Sequence, residues 1–377
     1  MRSASHVRAG WPLVGRLQSE FKYTLNERLI RTMPVVTLIL YAYNEERFIR
    51  EAIESVFAQT YSPLEIVLSD DGSADHTFEI MREMADAYQG PHKIILNRNE
   101  RNIGIGSQLN AAIEKTSGEL ILLANGDDRS RPYRVSRTVD AWLATGKTAT
   151  VISSPLQTID GRGHSIESQV LLNNRVYVSL EDGLRNRFSG VGLAASVALR
   201  RDVFTSFSAI NPALILEDNP LYLRARLLGP ARLLEEPLVD YRIHADNISQ
   251  AYDWVERSEW ARRFYRRALW QRSEGVKAYC QMLNDIAGPN ASAWPADDLE
   301  RGRFVAMGKL LENELYRQFY APETAVPISD RWKFIADLAF VQLKLTLKSW
   351  IPWLKDRDVK WHYRRVTRPG EPGATNG

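Results

Sequence analysis

Three acidic pairs stand out in this chain: Asp70–Asp71, Asp127–Asp128 and Glu217–Asp218. The first two each follow a short apolar run, LEIVLS from Leu64 and LILLA from Leu120, and each sits beside a glycine. Runs of this kind read as strands buried on both faces. A buried parallel strand delivers its last residues to the carboxyl edge of the sheet, where open α/β sheets take their ligands. Adjacent carboxylates repel each other in a low dielectric and are tolerated best with positive charge beside them. Metal or ligand binding is one reading of such a turn. An ordinary solvated turn rich in Asn, Gly and Asp is the other. One pair is easily explained locally, but two at the ends of strands of one sheet are less so. The third pair opens a helical stretch, where acids are favoured in any first turn by the helix dipole.

The elements that must position these pairs can be read from periodicity. VVTLILY from Val35 is a strand by its apolar, β-branched character. Glu45 to Thr60 carries one apolar stripe, Phe48, Ile49, Ala52, Ile53, Val56 and Phe57, and predicts a helix. The second strand is LEIVLS. A second helix follows over Asp75 to Tyr88, a third strand at KIILN from Lys93, a third helix over Gly104 to Thr116, and a fourth strand at LILLA. Strands alternating with helices, joined by right-handed crossovers, make a parallel sheet with helices on both faces. After Thr148 the expected elements are shorter strands, TATVISS and RLLEEPLVDYRI from Arg232, with a helix over Glu217 to Leu228. From Gln250 onward the pattern is mainly helical.

The chain has 377 residues, 44% apolar and 25% charged, with a net charge of +3. That is an ordinary globular composition for two or three domains, or one large domain with additions. The small net charge gives no argument for nucleic acid. Cys280 is the single cysteine, which excludes an internal disulfide and a cysteine-rich zinc site and fits a reducing compartment. No signal-peptide core and no run of the roughly 20 apolar residues of a membrane span are present. The expected location is therefore cytoplasmic.

Four segments carry a family resemblance: VVTLILYAYNEERFIREAIESVFAQTYSPLEIVLSDDGSADHT, NIGIGSQLNAAIEKTSGELILLANGDDRSRP, LEDNPLYLRARLLG and YRIHADNIS. Together they resemble a family 2 inverting glycosyltransferase of the GT-A fold, of the type used in bacterial polysaccharide biosynthesis. The resemblance covers Val35 to Gln250. It implies a Rossmann-like α/β domain over 34–250, its mostly parallel central sheet flanked by helices on both faces. Residues 34–130 would be the nucleotide-binding half and 131–250 the acceptor-side half. An N-terminal arm (1–33), a mainly helical C-terminal region (251–368) and a disordered tail (369–377) complete the expected organisation.

The implied activity is hexosyl transfer from a nucleotide-diphosphate sugar to a hydroxyl of a glycan or lipid-linked glycan. The resemblance implies donor contacts from Tyr41, Ala42, Asn44 and Glu45 in the loop after the first strand. It makes Asp71 the acceptor for base N–H groups, and Asn125 and Asp127 the residues at the family's Asp-x-Asp motif. Here Asn125 replaces the first Asp. Mg²⁺ or Mn²⁺ would be held by Asp127, Asp128 and His244, because hard cations prefer oxygen ligands. Arg242 would contact phosphate. Asp218 would be the general base that removes the acceptor proton. Glu217, Gly190 and Gly192 would face the acceptor. The rival reading is a non-catalytic scaffold or nucleotide-sugar-binding protein of a polysaccharide-assembly complex, which Asn125 motivates and the remaining carboxylates oppose. A sugar nucleotidyltransferase would want a Gly-rich basic loop where this chain has YAYNEER. RWKFIADLAFVQLKLTLKSWIPWLK near the C-terminus is either an interfacial helix holding the protein at the inner membrane face or a helical cap packed on the domain.

Overall fold

The computed structural model describes residues 33–171, 183–184, 194–212, 214, 218–244, 260–293 and 295–320. The N-terminal arm, Gly190, Gly192, Glu217, the interfacial segment and the C-terminal tail lie outside these, apart from Met33 at the end of the arm. The strands are β1 (Val36–Ala42), β2 (Leu64–Asp70), β3 (Lys93–Arg98), β4 (Leu120–Asn125), β5 (Arg129–Ser130), β6 (Val151–Ser153), β7 (Leu156–Ile159), β8 (Ser165–Leu171), β9 (Val197–Arg200), β10 (Ala231–Leu233) and β11 (Val239–Arg242). The helices are α1 (Ile49–Phe57), α2 (Thr77–Ala87), α3 (Ile105–Glu114), α4 (Arg134–Ala144), α5 (Asp202–Thr205), α6 (Asp218–Leu228), α7 (Trp260–Ala287) and α8 (Ala296–Tyr320).

Among the described residues the main sheet has the order β10-β6-β9-β4-β1-β2-β3. It is parallel except for β9, which runs against both β4 and β6. This is the expected α/β class with a mostly parallel sheet. β1 and β2 are buried along their whole length, as strands covered on both faces must be. Alternate side chains feed two cores. Leu38, Leu40 and Leu122 pack with α1, α2 and α4 through Ile53, Met81 and Trp142. Ile39, Ile121 and Leu123 pack on the other face with α3, α6, α7 and α8 through Leu109, Leu223, Met282 and Leu310.

Two expected elements come out differently. The first helix begins at Ile49 rather than Glu45, because 45–48 form a turn in which the N–H groups of Phe48 and Ile49 both donate to Glu45 O at 2.9 Å. RLLEEPLVDYRI is two strands in two sheets. β10 pairs with β6, whereas β11 joins a smaller sheet of order β5-β11-β7-β8. Pro237 lies between them and has no N–H to continue a ladder.

The topology also orients α6. Its end leads through Gly229 into β10, which runs parallel to β6. A helix feeding a parallel strand runs opposite to it, so the start of α6, at Asp218, returns to the carboxyl edge of the sheet. Among the described residues no helix is long and apolar enough to cross a membrane.

Buried Glu65 of β2 ties this sheet together at its other edge. It accepts from Thr37 Oγ1 (3.1 Å), Lys93 Nζ (2.9 Å) and Ser117 N (2.8 Å). Burial pushes its pKa up, but these donors outweigh burial and leave it below the ordinary glutamate value. A depressed carboxylate pKa stabilises the fold above the unfolded value, about 4.3, and the gain is lost as pH falls through the folded value. Melting temperature should therefore drop below about pH 4.3. Glu65→Gln should lower it at neutral pH and flatten that acid limb, as thermal melts from pH 3 to 7 would show.

Candidate active site

The register of the sheet assembles the site. Tyr41 lies opposite Asn125, and Ala42 lies opposite Asp70. The strand order reverses between β1 and its neighbours β4 and β2, and such switch points open the ligand crevice of α/β sheets. Beyond the strand ends, Gly126 N–H donates to Tyr41 O and Asp71 N–H to Ala42 O, both at 3.0 Å. A Cβ at Gly126 would stand 2.6 Å from the Ala42 Cβ, so this close approach requires glycine. Tyr41 and Ala42 are buried, and both give their backbone carbonyls to the turns at this edge.

The loop after β1 is braced against the loop after β2. Asn44 N–H donates to Ser73 Oγ (2.9 Å), Glu45 N–H to Thr77 Oγ1 (2.8 Å), and Ala74 N–H to Asn44 Oδ1 (2.9 Å). Asn44 has φ 57°, a left-handed conformation that Asn tolerates better than most residues. Asp71 is buried and organises a further loop. Its Oδ1 accepts from Asn99 Nδ2 (2.8 Å) and Ile103 N (3.0 Å), and its Oδ2 from Gly104 N (2.9 Å). Tyr43 and Ile103, in the loops bonded to residues 71 and 73, are exposed. Tyr43 belongs to the expected donor loop, whereas Ile103 carries no signal in the sequence that marks it for this edge.

Glu45, Asp127 and His244 each bring one ligand atom to within 4.8 Å of the others. His244 Nε2 is 3.0 Å from Asp127 Oδ2, and its ring packs on Phe48 with centroids 4.7 Å apart. Two carboxylates and an imidazole are a donor set that fits a divalent cation of the Mn²⁺ or Mg²⁺ kind.

Asp128, expected as a metal ligand, stands outside this group. Its Oδ1 accepts the Arg242 backbone N–H at 2.8 Å and its Oδ2 accepts Asn125 Nδ2 at 3.0 Å. Burial, then the neighbouring charge of Asp127, pushes its carboxyl well above the usual range. The N–H of Arg242, the Asn125 amide and the Arg134 guanidinium act in the opposite sense. Glu45 takes the place in the cluster that the sequence assigns to Asp128.

Arg242 also differs from expectation. Its side chain is 1% exposed. Nε donates to Asp127 O (2.8 Å), Nη1 to Asp160 O (3.3 Å), and Nη2 to the Glu51 carboxylate. The guanidinium lies over the Phe48 ring at 4.8 Å. The fork assigned to phosphate is turned into the protein. Glu51 is shared with Arg129 at 2.7 Å, and Arg129 reaches Asp240 of β11 at 3.2 Å. This network holds the small sheet against α1. Asp218 is half-buried at the start of α6.

Residues 37–206 match the family model described as Glycosyl transferase family 2. An uncharacterized glycosyltransferase of Nostoc sp. is 30% identical over 56% of this chain and 66% of its own length. An uncharacterized glycosyltransferase of Rickettsia felis is 29% identical over 58% of this chain. The present chain spans only 35% of that relative's length. Among solved structures, S. aureus TarS 1-349 in complex with UDP-GlcNAc is 16% identical, with coverage of 83% and 91% and a TM-score of 0.48. The mannosyltransferase PcManGT from Pyrobaculum calidifontis in complex with GDP-Man and Mn²⁺ is 14% identical, with coverage of 95% and 97% and a TM-score of 0.47.

Proposed function

We propose, from the match of residues 37–206 to the glycosyl transferase family 2 model, that this chain moves a hexose from a nucleotide-diphosphate sugar to an acceptor hydroxyl with inversion. The observation that supports this reading most is the convergence at one sheet edge of the Tyr41–Glu45 loop, the Asp70–Asp71 turn and the Asn125–Asp128 turn, with Glu45, Asp127 and His244 within 4.8 Å.

In this reading Asp71 holds the base. A carboxylate has about four acceptor sites, and Asp71 Oδ2 takes a single described N–H, from Gly104. Tyr43 and Ile103 flank the base with apolar surface. Glu45, Asp127 and His244 hold the cation, which when bound supplies positive charge to the departing diphosphate. Asp218, brought to the same edge by the direction of α6, takes the proton of the acceptor hydroxyl as that oxygen attacks the anomeric carbon. A single displacement needs one base and no covalent intermediate. Arg242 acts from inside rather than on phosphate. We assign the acceptor to a glycan or lipid-linked glycan of surface-polysaccharide assembly, met in the cytoplasm or at the inner membrane face.

The test is release of nucleotide diphosphate from a panel of UDP-, GDP- and dTDP-sugars, with Mn²⁺, with Mg²⁺ and with chelator. Release from one donor, lost in chelator, is the expected result. Asp127→Ala should weaken Mn²⁺ binding by at least the roughly 10–100-fold that loss of an outer-sphere partner costs, measured by calorimetric titration. A folded protein that binds no nucleotide would sink the assignment. Saturable nucleotide binding without release to any acceptor would favour the scaffold reading that Asn125 motivates.

A further inference from the structure

We propose that Asn125 is a positioning residue, required as the donor to Asp128, and that restoring Asp at this position would impair the protein. The inference rests on the glycosyltransferase reading only for its activity arm. Asp128 is 5% exposed, and both of its carboxyl oxygens accept from donors. It spends one oxygen on the Arg242 backbone N–H (2.8 Å) and the other on Asn125 Nδ2 (3.0 Å). The first bond clamps the turn after β4 to the end of β11, and the second closes that turn on Asn125, the last residue of β4. The same residue of β11 closes the clamp a second time, through Arg242 Nε to Asp127 O at 2.8 Å. Two residues further on, His244 meets the Asp127 carboxylate. The side chain of Asp127 is thus aimed by a turn whose neighbours on both sides are tied down.

A carboxylate at position 125 would face Asp128 Oδ2 with lone pairs where an N–H now stands. Two acceptors, one of them the buried Asp128, would then confront each other beside the charge of Asp127. Loss of a donor to a buried carboxylate leaves that group short of a partner, which costs more than the bond itself contributed. Glu45 supplies a second carboxylate to the cluster with Asp127 and His244, so the exchange at 125 does not leave the site with a single acid.

The polarity of the pair can be reversed. In Asn125→Asp/Asp128→Asn, the new amide at 128 can accept the Arg242 N–H on its oxygen and donate to the new carboxylate at 125. We would compare wild type, Asn125→Asp, Asp128→Asn and the double variant by thermal melting and by Mn²⁺-dependent turnover of the donor. Asn125→Asp should lose several degrees in Tm and on the order of tenfold in turnover, and the reversed pair should recover most of both. A generic need for bulk or polarity at either site would not produce that recovery. Asn125→Asp with unchanged or higher Tm, or a double variant no better than the worse single one, would overturn the proposal. A wild type without turnover on any donor would count against the glycosyltransferase reading alone, and the Tm pattern would still decide the clamp.

Discussion

Replacing Asp218 by Asn should lower turnover of the sugar transfer by about 10²–10⁴-fold, the usual contribution of a positioned general base. Asn keeps the shape of the side chain and its place at the start of α6, and removes only the basicity. The KM for the donor should change little, since the proton is taken from the acceptor in the transition state and not from the bound nucleotide sugar. Some stability will be lost, because an acid in the first turn of a helix gains about 0.3–1 kcal/mol from the helix dipole. Donor hydrolysis without acceptor should be affected less than transfer. Steady-state kinetics with donor and acceptor varied separately checks this. Turnover within about threefold of wild type, far from the loss of a general base, would move the base elsewhere and leave Asp218 as a helix-start residue.

The largest stability effect is expected away from the site, at Asp285. Arg224 of α6 and Asp285 of α7 form a fork-to-fork pair, Nε to Oδ2 at 2.7 Å and Nη2 to Oδ1 at 3.0 Å, with side-chain exposures of 0% and 1%. Arg224 also reaches Ser208 O at 2.8 Å, and Gln281 donates to Asp285 at 3.1 Å. Removing one partner strands a buried charge and typically costs about 3–5 kcal/mol. Asp285→Ala should therefore shift the urea midpoint strongly or prevent recovery of folded protein. The pair itself is not a net gain of that size. Burial pushes the Asp285 carboxyl above the usual range although Arg224 and Gln281 pull it down, so desolvation outweighs its partners. Arg224→Met combined with Asp285→Leu should accordingly cost far less than Asp285→Ala alone. If the double variant is as unstable as the single, the destabilisation comes from lost shape and not from an orphaned charge.

The layered fold is legible in the sequence because its causes are local. A strand covered on both faces must be apolar at successive positions, as LILLA is, and a helix covered on one face must repeat at three and four, as Ile49, Ala52, Ile53 and Val56 do. The same logic puts Asp70–Asp71 and Asp127–Asp128 at one edge before any coordinate is known, since strand ends carry their turns with them. RLLEEPLVDYRI shows where local logic stops. Its two halves have similar composition, and their assignment to different sheets is decided by the partners available, β6 for one and β5 and β7 for the other.

The division of labour within the site belongs to tertiary structure. Asp127 and Asp128 are neighbours of identical chemistry, yet one meets His244 and Glu45 while the other is consumed by Asn125 and by a backbone N–H 114 residues away. Arg242 carries a fork suited to phosphate, but its place at the end of β11 points that fork at Glu51 and two carbonyls. Sequence alone determined the layers, the edge and the residue types gathered there, because burial and periodicity act over a few neighbours. Which carboxylate faces the crevice and which is spent on holding it was decided only when β11 packed against the end of β4, because a hydrogen-bond donor chooses its acceptor by position and not by type.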